Sequence, residues 1–188
     1  MKEIDYTDAI FTRFLNGDGD ALRELLSLYG AKLVLFINRY VNNLSVAEEL
    51  MEDTFCEIVL EPKRFRREAT VKTYLFTIAR NKAIDYVRRE KKHSPLPMEE
   101  AENMLADELH LEDRVIKDEQ KRELLSAMKA IPGEYSSVLH LLYFEELSYA
   151  EIGLIMKKTV KQIGNLAHRA RLSLKGELER RGFVYEDL

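Results

Sequence analysis

Two stretches of this 188-residue chain are rich in lysine and arginine. Residues 63–92 carry 11 basic and 3 acidic side chains, and residues 157–181 carry 8 basic and 2 acidic side chains. The formal net charge of the whole chain is −4, because acidic sequence precedes, separates and follows these blocks. Lysine and arginine at this density neutralise phosphates, so the pattern predicts nucleic acid bound at two separated places. For either block alone, a solvated helix face is an alternative interpretation.

Residues that commonly perform covalent chemistry or hold metals are sparse. The histidines at 93, 110, 140 and 168 stand singly, and the one cysteine, Cys56, has no adjacent base. A lone cysteine forms no intramolecular disulfide, which favours a reducing compartment such as the cytoplasm, and we interpret Cys56 as a small core residue. The sequence therefore predicts no catalytic residue, no metal site, no cofactor and no enzymatic activity.

The apolar residues recur at helical spacing almost everywhere, and no segment alternates like a strand, so we expect an all-α protein. The N-terminus has no apolar signal core, and the apolar run Leu33–Ile37 is far shorter than a membrane span. No export or membrane insertion is expected. The predicted helices span Asp5–Leu15, Asp20–Val41, Ser45–Leu60, Thr70–Lys92, Leu111–Ile131, Glu134–Phe144, Ser148–Met156 and Val160–Arg181.

Local signals set several of these helix ends. Ser45 with Glu48 is a capping-box pattern that predicts a helix start, and Pro62 predicts its end. After His93 the composition changes to Ser-Pro-Leu-Pro and an acidic run, which is typical of a linker. We therefore expect two small helical domains, 1–92 and 113–188, joined by an acidic linker over 93–112.

The C-terminal part has the layout of a helix-turn-helix. Ser148 with Glu151 forms a capping box, and a polar break at 157–159 separates a short helix from a long one. On the long helix the apolar residues at 160, 163, 167, 170 and 174 form a stripe that should face the core. The opposite face carries Lys161, Gln162 and Asn165, followed by Arg169 with His168 at the edge. Cations for phosphates and amides for base edges predict duplex DNA readout.

Arg171 falls near the apolar stripe instead of the outward face. We expect its side chain to turn inward and bond a carboxylate such as Glu145 or Glu146.

The helix predicted from Thr70 has a buried face and a polar face. Its apolar residues at 71, 74, 75 and 78 should pack inward, while Asn81, Asp85, Arg88 and Arg89 share the polar face. Asp85 can hold one of these arginines in a fixed rotamer, ready for a backbone or an exposed base. Aromatic residues interleave with the charges, as in proteins that hold single strands, and Tyr86 and Phe65 are the better candidates for stacking.

These residues resemble a known family. The stretches Ala47–Phe55 and Thr73–Arg89 look like region two of the sigma-70 family of RNA polymerase sigma factors. Ile131-Pro132, Glu146–Gly153 and His168–Arg171 look like its region four. The absence of other regions points to the small extracytoplasmic-function (ECF) subfamily.

The resemblance implies partners and roles. It implies binding to core RNA polymerase through the β′ clamp helices and the β flap, binding to promoter DNA, and control by an anti-sigma factor. The implied contacts with polymerase are Glu48, Glu49, Glu52, Asp53 and Thr54. The implied contacts with melted minus-ten DNA are Arg64, Arg66, Arg67, Lys72, Thr73, Arg80, Asn81, Lys82, Asp85, Tyr86, Arg88 and Arg89. The implied contacts with minus-thirty-five duplex are Ser148, Tyr149, Thr159, Lys161, Gln162, Asn165, His168 and Arg169.

Departures from the family pattern bear on specificity. Tyr74 stands where tryptophan is common, which keeps an aromatic core residue, while Gly164 and Leu166 stand where a cation is frequent. Weaker binding to the upstream element is therefore expected. The main alternative is a stand-alone helix-turn-helix regulator that binds duplex operator DNA without polymerase, its N-terminal helices serving for dimerisation. A helical adaptor that binds only proteins would leave the two basic blocks unexplained.

Overall fold

A computed structural model describes residues 6–93 and 119–182, with the backbone alone for His93 and 119–122. These residues form eight α-helices and one 3-10 turn and include no strand, which confirms the predicted all-α class. The α-helices are α1 Tyr6–Leu15, α2 Gly19–Val41, α3 Leu44–Leu60, α4 Val71–His93, α5 Glu119–Ala130, α6 Gly133–Tyr143, α7 Tyr149–Met156 and α8 Val160–Arg180. Asp5, the start of the helix predicted from Leu111, and the predicted linker apart from His93 lie outside the described residues.

The chain divides into two compact units: the first contains α1–α4 and is grouped with residues 153–158, and the second contains the rest of α5–α8. In the first unit α2 is central, because it packs against α1, α3 and α4. Leu25, Leu33 and Ile37 of α2 are fully buried, and the Phe36 ring meets the Phe76 ring of α4 edge-on at 5.1 Å. Apolar residues at spacings of three and four predict a core position for Leu26 as well, but its side chain is 44% exposed.

The caps of the first unit differ from those predicted. Asn42 adopts a left-handed conformation and ends α2, which leaves the extended Asn43 as the N-cap of α3. The Asn43 side-chain oxygen accepts a hydrogen bond from Val46 N at 3.2 Å, so the predicted cap at Ser45 is wrong. The prediction that Pro62 ends this helix is confirmed, because α3 stops at Leu60 and a 3-10 turn, Pro62–Arg64, follows.

The core of the second unit is built mainly by α6 and α8. Ile163, Ala167 and Ala170 of α8 are fully buried, as the apolar stripe predicts. Val160, the first residue of α8 and part of the predicted stripe, is instead 54% exposed. Leu166 is only 2% exposed, so it is a core residue and not a position on the DNA-facing surface.

A buried polar pair closes the end of α6. The imidazole of His140 lies 3.7 Å from the carboxylate of Glu145, and both side chains are almost fully buried. The His140 ring also stacks on Phe144 at 5.3 Å. Glu145 is therefore part of the core of this unit.

No helix in the described part of the chain is both long enough and apolar enough to cross a membrane.

Candidate nucleic-acid interface

The helix-turn-helix begins with the capping box that the sequence predicts. Ser148 N donates to the Glu151 carboxylate at 2.9 Å, and Glu151 N donates to Ser148 Oγ at 3.3 Å. A second capping box, missed in the sequence analysis, starts α8. Thr159 Oγ1 accepts from Gln162 N at 3.2 Å, and Gln162 Oε1 accepts from Thr159 N at 2.8 Å. The Thr-x-x-Gln spacing was the available signal.

The turn between α7 and α8 requires a glycine. Lys157 adopts a positive φ of 55°, and Lys158 N donates back to Gly153 O at 3.0 Å. A Cβ on Gly153 would lie 2.7 Å from Lys158 O, closer than any ordinary contact. The absence of a side chain at Gly153 therefore lets the chain turn tightly enough to start α8.

The outward face of α8 is exposed as predicted. The side chains of Lys161, Gln162, Asn165, His168 and Arg169 all lie on the surface. The Gln162 oxygen already accepts a hydrogen bond from Thr159 N, so the capping box restricts the orientation of this amide and leaves its oxygen one further acceptor site. Asn165 is therefore the better placed of the two amides for pairing with a base edge.

Arg171 bonds to phenols instead of the predicted carboxylate. Its Nε donates to Tyr143 Oη at 2.7 Å, and its Nη2 donates to Tyr149 Oη at 3.3 Å. The bonds to Tyr149 and then Tyr143 raise the pKa of Arg171 above its ordinary value. Glu145 is unavailable to Arg171 because it is buried beside His140. Arg171 thus joins α8 to the end of α6 and the start of α7.

Tyr149 is half-buried, and two groups of α8 hold it in place. Its ring lies 3.6 Å from where a Cβ on Gly164 would stand, and its hydroxyl accepts from Arg171. Ser148 and Thr159, the other predicted residues of the turn region, are exposed.

The first unit presents its cations along α4 and the preceding loop. Arg88 Nη1 lies 3.1 Å from Asp85 Oδ1, so Asp85 contacts one of the two arginines that the sequence pairs with it. Lys82 lies 3.1 Å from the carboxylate of Glu57, which Arg64 also approaches at 3.4 Å. Some of the basic block is therefore partly neutralised by α3.

A groove of about 340 Å³ separates α3 from α4. Tyr86 lies at its edge, and burial, followed by Glu90 and Glu49, raises the pKa of this phenol. The groove brings a predicted polymerase residue, Asp53, beside residues predicted to contact melted DNA. The residues that line it are Leu50, Asp53, Glu57, Ile78, Asn81, Lys82, Asp85, Tyr86 and Arg89.

Two of the predicted contact residues have no exposed side chain. Thr54 is fully buried and its hydroxyl donates to Leu50 O at 2.7 Å. Thr73 is also fully buried, with its hydroxyl 2.9 Å from that of Thr70. Both predictions are wrong as surface contacts in this conformation, because these positions face the core of the first unit.

The remaining predicted residues of this unit are at least partly accessible. Glu48, Glu49, Glu52 and Asp53 are exposed on α3. The exposed cations and carboxylate are Arg64, Arg66, Arg67, Asp85, Arg88 and Arg89, and the partly exposed residues are Lys72, Arg80, Asn81, Lys82 and Tyr86.

Two further interpretations of the sequence are corrected. Phe65 packs edge-on against Phe11 at 5.3 Å and lies 5.2 Å from Tyr74, so its ring is committed to an aromatic cluster. Cys56 is exposed on α3 and is not a core residue. Phe65 lies in the loop before α4, where no helical period applies, and for Cys56 on α3 only the packing of neighbouring helices decides which side is covered.

Among the described residues, no group of three or more histidine, cysteine or acidic side chains could hold a metal ion.

A tight helix-turn-helix with an exposed polar face, in a chain whose other helical unit also exposes cations, defines a DNA-binding protein of the helix-turn-helix class. Family models described as Sigma-70 region 2 and Sigma-70, region 4 match residues 25–93 and 121–174. The chain belongs to the sigma-70 family of RNA polymerase sigma factors and resembles its ECF members over most of its length.

Relatives of this family match over most of their length. The RNA polymerase sigma factor YlaC of Bacillus subtilis (strain 168) is 30% identical over 161 residues, which cover 83% of this chain and 91% of the relative. The ECF RNA polymerase sigma factor SigW of the same organism is 28% identical, with 86% and 91% covered.

Solved structures share the fold. The sigma factor RpoE of Bartonella quintana, in complex with the anti-sigma factor NepR, has a TM-score of 0.64 at 18% identity, covering 84% of this chain and 96% of that one. CnrH, in complex with the cytosolic domain of CnrY, has a TM-score of 0.65 at 19% identity, covering 92% and 96%.

Proposed function

We propose that this sigma factor binds core RNA polymerase and directs initiation at promoters by holding two DNA elements with two separate units. The observation that carries the proposal is the placement of two exposed basic surfaces on two units that match different sigma regions in the family order. Residues 1–92 form the region-two domain, 93–112 the acidic linker and 113–188 the region-four domain. The matched ranges and the main break after Ser94 support these boundaries.

The exposed acidic face of α3 is the proposed contact with the β′ clamp helices. Glu48, Glu49, Glu52 and Asp53 all face solvent on this helix. Charges at the rim of an interface steer association and fix its register more than they add affinity. Thr54 supports this surface from within, because its buried hydroxyl bonds the backbone of Leu50. The second unit would contact the β flap.

The cations of α4 and its preceding loop are the proposed grip on the melted minus-ten strand. Arg66, Arg67 and Arg89 are exposed, and Asp85 forms an ion pair with Arg88. Phosphate contacts of this kind fix the strand, while Tyr86 and Asn81 at the groove can meet an unstacked base. These contacts must offset a few kcal/mol of unstacking per opened base step. The other proposed contacts of this surface are Arg64, Lys72, Arg80 and Lys82.

The outward face of α8 is the proposed reader of the minus-thirty-five duplex. Asn165 is placed to pair with a base edge, and Lys161 and Arg169 to contact phosphates. Among the five residues of this outward face, only Lys161 and Arg169 are lysine or arginine, so upstream affinity should depend on the polymerase holding both units on one promoter. His168, Gln162, Thr159, Ser148 and Tyr149 border the reading face.

An anti-sigma factor is the proposed regulator. One of the two structural neighbours described above is a sigma factor in complex with an anti-sigma factor, and the other, CnrH, is in complex with the cytosolic domain of CnrY. The sigma factor itself makes and breaks no bond, so it is not an enzyme. Its place of action is the cytoplasm, where polymerase and promoter DNA are found, and it needs no cofactor and no membrane insertion.

The stand-alone regulator is not favoured. A regulator that uses only its helix-turn-helix would not need a first unit that matches sigma region two, yet residues 25–93 match it. Both relatives described above also match across at least 83% of this chain, and not across the second unit alone.

Run-off transcription with purified core polymerase and a pool of promoter fragments tests the proposal. New discrete transcripts should require this protein and disappear in the double variant Arg88→Ala, Arg89→Ala. The matched control is Arg23→Ala, since Arg23 is exposed on α2 and pairs only with the neighbouring Asp20 in the described structure. Tight duplex binding by the free protein, without transcripts and without association with core enzyme, would instead establish the regulator.

A further inference from the structure

Helix α1 contacts the loop of residues 65–70 at its start, middle and end. The Phe11 ring meets the Phe65 ring edge-on at 5.3 Å. Thr12 Oγ1 accepts from Arg67 Nη2 at 3.5 Å, a long bond in the middle of the loop. Where the loop ends, the Asp8 carboxylate accepts from Val71 N at 2.7 Å. The loop that carries two exposed cations, Arg66 and Arg67, therefore rests on α1.

The contact of Asp8 is a helix cap supplied from another helix. Asp8 lies 63 residues before Val71, the first residue of α4. A carboxylate at this place satisfies a backbone N–H that has no intrahelical acceptor, and it complements the positive end of the helix dipole. Thr70 supplies the local part of the cap, because its Oγ1 accepts from Thr73 N at 3.2 Å.

The backbone of the loop is held in a conformation that most residues avoid. Arg67 has a φ of 58°, in the left-handed region, although it carries a Cβ. Such a conformation persists when the surroundings determine it, and it concentrates at functional sites. Here the surroundings include Thr12 and the two ends that Phe65 and Asp8 fix.

We infer that Asp8 is a positioning residue for promoter opening, because it fixes the start of α4 and with it the 65–70 loop that meets the melted strand. The inference rests on the proposed function of that surface. Helix α1 precedes the residues 25–93 that match the family model, so the match assigns α1 no role.

Removal of the Asp8 carboxylate should loosen the 65–70 loop while the fold of the first unit is retained. Val71 N–H would lose its acceptor, the first turn of α4 would fray, and Arg66 and Arg67 would sample more orientations. Strand capture would then have to order the loop, which weakens binding without removing any cation. The exposed acidic face of α3 would be unchanged, so association with core polymerase should be retained.

Permanganate oxidation of unpaired thymines in the minus-ten element measures opening by the reconstituted holoenzyme. For Asp8→Ala we expect opening reduced roughly fivefold, the size of an ordinary N-cap loss. For Asp8→Asn we expect nearly normal opening, because the amide oxygen can still accept from Val71 N. The matched control is Asp20→Ala, an exposed aspartate in the first turn of α2, which should open the promoter normally. Equal opening by Asp8→Ala and the wild-type protein would overturn the inference.

A double-mutant cycle separates positioning from general destabilisation. If Asp8 acts through the loop, the cost of Asp8→Ala should shrink once Arg67 is replaced by alanine. Multiplicative losses in the double variant would indicate a merely structural role and overturn the inference. Should Asp8→Ala fail to fold, Thr12→Val removes the acceptor of Arg67 while leaving the cap intact, and roughly twofold weaker opening is expected. Normal promoter opening by Thr12→Val would then overturn the inference.

The same assay distinguishes two kinds of failure. A wild-type protein that neither associates with core polymerase nor opens any promoter overturns the proposed function, and the inference with it. A wild-type protein that opens the promoter no better than Asp8→Ala, at equal association with core, overturns only the inference.

Discussion

The Arg171 guanidinium donates to the phenol oxygen of Tyr143 at 2.7 Å, which joins the long helix α8 to the end of α6. Hydrogen bonds from a charged donor are stronger than neutral ones, and this one is reinforced by a second bond to Tyr149. The orientation of the DNA-facing helix in its unit therefore depends partly on Arg171, a residue that does not itself lie on the reading face.

Replacement of Tyr143 by phenylalanine should destabilise the second unit by about 1 kcal/mol, because it removes one hydrogen bond and keeps the ring. Hydrogen exchange of the α6 and α8 amides measures this local free energy. Lys175→Ala is the control, since its 3.9 Å ion pair with Glu179 is largely exposed and should contribute within ~0.5 kcal/mol. Equal exchange rates in both variants would show that the bond to Arg171 carries no stability.

The two glycines of the helix-turn-helix should respond oppositely to alanine. A Cβ on Gly153 would lie 2.7 Å from Lys158 O, so Gly153→Ala must distort the turn and should cost more than ~2 kcal/mol. A Cβ on Gly164 would make only an ordinary 3.6 Å contact with the Tyr149 ring. Gly164→Ala should therefore stabilise α8 by up to about 1 kcal/mol through helix propensity. Thermal unfolding followed by circular dichroism compares them, and destabilisation by both variants would contradict this prediction.

Helical period was enough to predict the fold class and the exposed face of α8. The positions of Lys161, Asn165 and Arg169 follow from 100° per residue alone, and the structure exposes all three. Local capping chemistry likewise predicted the Ser148–Glu151 box. These features depend on residues close together in the sequence.

The errors arose where distant segments decide the outcome. Thr54 and Thr73 are buried because neighbouring helices of the first unit cover them, which period alone does not reveal. The bond from Val71 N to Asp8 links residues 63 apart, and no local pattern predicts it. Arg171 found phenols instead of carboxylates because Glu145 is buried beside His140.

The acid sensitivity of the first unit should depend on Arg13. Its guanidinium lowers the pKa of Asp18, and the Tyr6 hydroxyl, followed by Arg13, lowers the pKa of Glu24. Carboxyl groups with a lowered pKa in the folded state contribute stability above their unfolded pKa, and they lose it as the pH falls below about 5. Arg13→Ala should thus be less stable than the wild-type protein at pH 7, and the difference should shrink towards about pH 3.

Thermal midpoints at several pH values measure this convergence. Arg23→Ala is a suitable control, because Arg23 forms an exposed pair one turn from Asp20 and lies outside the network of Tyr6, Arg13 and Glu24 in the described structure. A gap between Arg13→Ala and wild type that stays constant from neutral to acid pH would contradict the assignment.

The two amides at the start of α8 should separate stability from DNA binding. Gln162 closes the capping box with Thr159, so Gln162→Ala should cost about 0.5–1 kcal/mol of stability. Asn165→Ala should leave stability within ~0.5 kcal/mol. It should instead remove about 1–3 kcal/mol of discrimination between base pairs at one position of the minus-thirty-five duplex. Unfolding experiments and competition binding of the holoenzyme to duplex variants measure the two effects. Loss of sequence preference in Gln162→Ala, but not in Asn165→Ala, would reverse these roles.

Arg64 and Arg66 should differ in how much they contribute to the salt dependence of strand binding. Arg64 contacts Glu57 and Glu61, whereas Arg66 shows no ion pair among the residues that the structure describes. A cation already neutralised by carboxylates displaces fewer counterions from the strand when it binds. Arg66→Ala should therefore reduce the slope of log affinity against log salt by about 0.7, and Arg64→Ala by clearly less. Holoenzyme binding to a single-stranded minus-ten oligonucleotide at several salt concentrations measures both slopes. Equal reductions would mean that the DNA strand replaces Glu57 and Glu61 as the partner of Arg64. The ion pairs of the free protein would then be broken on binding.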